Sequence, residues 1–78
     1  MEKAFVCISA EPSSVPSVFQ NIKSVEGVEE VEMVYGDYDV CFKVRAETFD
    51  DLRKTINERI RRMDRVRNTL TSVIVNSG

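Results

Sequence analysis

Apolar and polar residues alternate most regularly between Gly27 and Ala46, GVEEVEMVYGDYDVCFKVRA. Val31, Met33 and Tyr35 recur at every second position before Gly36-Asp37, and Tyr38, Val40, Phe42 and Val44 do the same after it. A period of two on both sides of a Gly-Asp pair predicts a β-hairpin closed by a two-residue turn. Glycine accepts the positive φ that the first central position of a type II′ turn needs. Such a turn sets Tyr35 opposite Tyr38, Met33 opposite Val40 and Val31 opposite Phe42 on one side of the ribbon. On the other side Glu32 faces Cys41 and Glu30 faces Lys43. The first side is apolar throughout, and a one-residue slip would bury the charged side, so the register is well specified. A lone hairpin is marginal in water, so the rest of the chain must cover the apolar side.

Lys3 to Ala10 is apolar on both alternating sets, Phe5 with Cys7 and Val6 with Ile8, the pattern of a central strand with both faces covered. Glu11-Pro12-Ser13-Ser14 ends it. Ser13 or Ser14 can cap a helix in which Pro16 sits in the first turn and Val15, Val18, Phe19 and Ile22 share a face. That helix is expected to stop near Glu26-Gly27. After the hairpin, Thr48 and Asp51 have capping-box spacing. Phe49, Leu52, Ile56, Ile60 and Met63 then step by three and four, a helical stripe. Val66 to Val75 reads as the last strand, with Val66, Leu70 and Ile74 inward and Thr69, Thr71, Val73 and Val75 outward. The order βαββαβ, read as two interleaved βαβ units with right-handed crossovers, gives a ferredoxin-like α+β fold. It is a four-stranded antiparallel sheet, order 4-1-3-2, with two helices on one face. The whole chain, 1–78, makes one domain.

Composition removes most chemistry. There is no histidine, hence neither the usual general base nor the usual metal ligand. No CxxC, glycine-rich phosphate loop or nucleophile elbow occurs. Catalytic residues, metal sites and cofactors are therefore all expected to be none. Asp37 and Asp39 flank a turn residue and read as solvated turn chemistry. Cys7 and Cys41 are distant in sequence and read as buried free thiols in a reducing cytosol. Nothing resembles a signal peptide or a membrane span, so the protein is expected to be cytoplasmic, with no membrane partner. The net charge of −2 hides an asymmetry. Residues 26–39 hold six acids and no base, whereas residues 59–67 hold five arginines and one acid. Unlike patches on one small domain suit association between copies. The arginine run reads first as a solvated helix face matched to the helix dipole.

The hairpin loop has the chemistry to hold a free amino acid: N–H groups around Gly36 for its carboxylate, oxygens of Asp37 and Asp39 for its ammonium. One exposed turn needs a partner subunit to close the pocket. YGDYDVCFKV, then a capped helix, then VRNTLTSVIV, resembles the effector-binding (RAM) domain of Lrp/AsnC transcriptional regulators over essentially the whole chain. The resemblance implies subunits that dimerise through the open sheet face, a dimeric α+β barrel type of assembly. It also implies further assembly of dimers into rings or discs, with amino-acid effectors bound between dimers. By the same resemblance Gly36, Asp37, Tyr38 and Asp39 form the ligand loop, and Thr69 and Thr71 are further contacts. The chain starts at the first strand, without the family's helix-turn-helix. It is therefore expected to act as a stand-alone version that does not bind DNA directly and that modulates a full-length regulator. The alternatives are a small oxygenase-like enzyme of the dimeric α+β barrel type and an RNA-binding ferredoxin-like domain.

Overall fold

The computed structural model describes residues 1–75; residues 76–78 of the expected single domain lie outside the described residues. The elements are β1 (Glu2–Ala10), a 3-10 turn (Pro12–Ser14), α1 (Val15–Lys23), β2 (Val28–Met33), β3 (Val40–Ala46), α2 (Phe49–Lys54) continuing as a π-helical segment (Thr55–Ile60), and β4 (Val66–Ile74). The sheet is antiparallel in the order β2-β3-β1-β4, as the ferredoxin-like reading requires.

One core lies between the sheet and the helices. Ala4, Val6, Ile8 and Ala10 of β1 and Val40, Phe42 and Val44 of β3 are buried on the helix side. Val18 and Ile22 of α1, and Leu52, Ile56 and Ile60 of the second helix, close over them. Residues four apart drift by about 40° per step in an α-helix. The wider π turns after Lys54 take up that drift, so Leu52, Ile56 and Ile60 all stay over the sheet. Thr48 caps this helix as expected, its Oγ1 accepting from the Asp51 N–H at 3.1 Å.

Several expectations are corrected. Neither serine caps α1 through its side chain. Both hydroxyls donate instead to the Glu11 carboxylate, at 2.5 and 3.0 Å, and hold its pKa below the usual glutamate value. The helix ends at Lys23, earlier than expected, and Gly27 enters β2 with φ +90°. The hairpin turn is not a two-residue type II′ turn. The ladder closes at Met33–Val40, leaving a six-residue loop, 34–39, and no Tyr35–Tyr38 pair. Glu32 does face Cys41, but beyond it a bulge at Glu30 (φ 54°) makes Glu29 the ladder partner of Lys43. The Glu30 carboxylate still reaches the Lys43 ammonium at 2.9 Å.

In β4 the facing was reversed. A second bulge, between Val66 and Asn68, switches the parity. Val66 stays inward, and Thr69, Thr71 and Val73, opposite Ile8, Val6 and Ala4, also lie on the helix side. Leu70 and Ile74, opposite Cys7 and Lys3, lie on the open side. The cysteines are not free thiols. Cys7 and Cys41 are direct cross-strand neighbours in β1 and β3, with Cα atoms 4.1 Å apart, and form a disulfide.

Gly27 carries an exact demand on its residue type. A Cβ there would lie 2.5 Å from the Arg45 carbonyl oxygen, and the Arg45 N–H donates to the Gly27 carbonyl at 2.9 Å. Gly27→Ala is expected to lower stability by roughly 1–3 kcal/mol, since an L side chain is strained at that φ. Urea unfolding should show a lower midpoint with an unchanged slope; an unaltered midpoint would contradict this.

Candidate functional site

Six residues were expected to form a ligand site, and the structure places them in two groups. Gly36, Asp37, Tyr38 and Asp39 sit in the loop between β2 and β3. Thr69 and Thr71 sit on β4, with β1 intervening between β3 and β4. At about 4.8 Å per strand, β4 is roughly 10 Å from the strand that begins at the loop. No residue of the loop is among those lining the groove that holds Thr69 and Thr71.

Two backbone bonds anchor the loop. The Val34 N–H donates to the Asp39 carbonyl and the Asp39 N–H to the Ile8 carbonyl, both at 2.9 Å. The Asp39 carboxylate accepts from the Ala10 N–H at 3.0 Å, so Asp39 is half-buried and straps the loop to the end of β1. Beyond that strap the loop projects. Tyr35, Gly36 and Asp37 are exposed, and Tyr38 is half-buried. Gly36 has φ +138°, and nothing lies within 4 Å of where its Cβ would be. Space is open there for an incoming group.

Thr69 and Thr71 line a groove of about 400 Å³ between β4 and the second helix. Its floor is apolar: Phe49, Leu52, Ile56 and Val73. Its rim is polar: Asp50, Arg53, Asn57 and Arg61. Asp50 and Arg53 are paired at 3.2 Å, and the Arg61 guanidinium lies 3.5 Å from the Asn57 side-chain oxygen. An apolar floor with a few placed polar groups is the usual make-up of a small-molecule site, and the volume is within the usual range. Sequence reasoning missed this groove. Phe49 was assigned to the core stripe but is half-exposed at its end. Asn57 and Arg61 reach the rim through the π segment, whose Arg61 N–H bonds back to the Ile56 carbonyl at 2.9 Å. The four-residue steps of the apolar stripe were a faint signal of that segment.

Fold and site together define a ferredoxin-like domain with an apolar groove beside β4 and one sheet face bare of helices. The family follows from comparison. Residues 3–77 match the model of the Lrp/AsnC ligand binding domain, and the chain belongs to that family. An uncharacterised HTH-type transcriptional regulator of Pyrococcus furiosus is 36% identical over 73 residues, which cover 90% of this chain and 49% of that protein. The chain thus spans about half the length of the curated regulators it matches. A homocitrate synthase of Sulfolobus acidocaldarius is 44% identical over 59 residues, covering 76% of this chain and 12% of the enzyme. The crystal structure of FFRP-DM1 superposes with a TM-score of 0.92 at 31% identity, covering 96% of this chain and all of that one. No helix of the described residues is long and apolar enough to cross a membrane.

The two aspartates of the loop should behave differently. Asp39→Ala leaves the Ala10 N–H without its partner and is expected to cost roughly 1–3 kcal/mol of stability. Asp37→Ala, at an exposed position without a side-chain hydrogen bond among the described residues, should stay within about 0.5 kcal/mol of the parent. Chemical denaturation of both variants checks this, and equal losses would remove the strap.

Proposed function

We propose that this chain is an amino-acid-sensing regulatory module that works as a homo-oligomer, its ligand held between copies. The observation that carries the reading is the separation of two incomplete half-sites. The exposed loop offers N–H groups and the Asp37 carboxylate. The α2–β4 groove offers threonine hydroxyls, two arginines and an apolar floor for a side chain. An amino acid needs an anion contact, a cation contact and an apolar wall; the groove's own carboxylate, Asp50, is paired with Arg53, so the exposed Asp37 of a loop is the carboxylate left for the ammonium. A copy that sets its loop against a neighbour's groove supplies all three.

Assembly through the open sheet face is part of the same proposal. That face leaves Phe5 and Leu70 half-exposed on otherwise well-packed strands. Acid-rich β2 and β4, which follows the arginine run, are the two edge strands of the sheet, and unlike edges suit head-to-tail contact between dimers. The regulatory output would pass through a full-length regulator of the family in the cytoplasm, the module co-assembling with its ligand-binding half. A second reading rests on the homocitrate synthase match: the chain would act as the sensor of an enzyme rather than of a regulator. Co-purification with each type of partner separates the two.

Each of the twenty amino acids should be added to the purified protein and the melting temperature followed. At a concentration of 100 Kd the right one stabilises by about 2.7 kcal/mol, on the order of 10 °C or more for a domain this small. A flat response to all twenty would remove the sensing reading. Thr71→Val keeps the shape of the groove and deletes one hydroxyl; it should weaken the effective ligand up to about ten-fold, with the melting temperature of the free protein nearly unchanged.

A further inference from the structure

The middle row of the open sheet face crosses all four strands as Glu32, Cys41, Cys7 and Leu70. The disulfide is therefore at the centre of that face, on the floor of a shallow depression of about 430 Å³. Both cysteines are half-buried on that floor. Beside them Phe5 and Leu70 are 50% and 49% exposed, and the Lys43 ammonium lies 5.3 Å from the centre of the Phe5 ring. The bond joins strands already paired from Glu2–Ala46 to Ile8–Val40, so the ladder does not need it to keep register. Lys3, Lys43 and Arg45 stand on the same face as Glu29, Glu30 and Glu32. A surface carrying both signs around an apolar centre can match a second copy of itself.

We propose that the Cys7–Cys41 disulfide is a thiol-redox control on the docking of this face against a second copy of the chain. The proposal rests on the open-face dimer described above and adds to it. A dithiol reductant supplies the chemistry. One of its thiolates attacks the Sγ of one cysteine, the S–S bond breaks, and the other cysteine leaves as a thiolate and takes a proton. The second thiol of the reductant then displaces the mixed disulfide. The reductant ends as a disulfide and the protein as two thiols, having gained two electrons and two protons. The reverse exchange, with the oxidised dithiol, restores the bond.

Attack requires an open approach to the sulfur. Facing sheets pack about 10 Å apart, which leaves no room for a dithiol between them, so reduction proceeds through the undocked chain. Docking is affected in return. Two thiols must sit at non-bonded separation, and the added volume falls at the centre of the interface, where overpacking destabilises. The disulfide form docks tightly and the dithiol form weakly. Linkage makes the effect reciprocal: docking protects the bond.

The test is sedimentation equilibrium of the full chain, air-oxidised and dithiothreitol-reduced, with circular dichroism to confirm the fold and a Cys7→Ser/Cys41→Ser double variant as a form that cannot be oxidised. The oxidised chain should dimerise roughly ten-fold more tightly than the reduced one. The double variant should not respond to reductant. The rate of reduction should fall as protein concentration rises through the dimer Kd. Equal dimer constants with a concentration-independent reduction rate would overturn the redox control and leave the dimer standing. A monomer in both states would overturn the dimer as well. Loss of the folded spectrum on reduction would make the bond a structural brace and overturn the proposal.

Discussion

Two helices can cover only one face of a four-stranded sheet, and that limit governs the rest of the molecule. The covered face takes the full set of aliphatic residues of β1 and β3. Their other face holds Phe5, the disulfide and, on the neighbouring strand, Leu70, which no part of the described chain shields. Among the described residues nothing forms a second cover for it, and the proposed docking of a second copy would supply one. The placement of the loop and the groove on different strands fits the same logic, and the proposed site joins them between molecules.

β1 connects these features. Its helix-side residues form the middle of the core. Its backbone holds the 34–39 loop, through the Ile8 carbonyl and the Ala10 N–H to Asp39. Its open side carries Cys7 at the centre of the uncovered face. A change at the sheet surface is thus only a few residues from the anchor of the loop, along a rigid strand.

The topology was readable because two periodicities are strong: the alternation around Val40–Val44 and the apolar stripe from Phe49. What failed depended on long-range geometry. Val34 to Asp39 has the alternation of a continuing strand. The ladder ends early because Asp39 is committed to Ala10, an acceptor–donor pair twenty-nine residues apart. The facing of β4 was inverted because a bulge after Val66 shifts the phase, and nothing in VRNTLTSVIV marks it. The disulfide was missed because sequence separation says nothing of register: strand order set β1 beside β3, but only the pairing of Cys7 with Cys41 brings the sulfurs together. The threonines were named from resemblance, yet their groove depends on the π segment that turns Asn57 and Arg61 toward them.

The central claim, that loop and groove act together only across copies, is tested most directly by mixing two inactive variants. Gly36→Val disables the loop and a Thr69→Ala/Thr71→Ala pair disables the groove, so each alone should bind no amino acid by calorimetry. After unfolding and refolding together in equal amounts, about one site in four should join an intact loop to an intact groove, and binding should return at that stoichiometry with the parent affinity. No recovery in co-assembled material would place the whole site within a single chain and contradict the account.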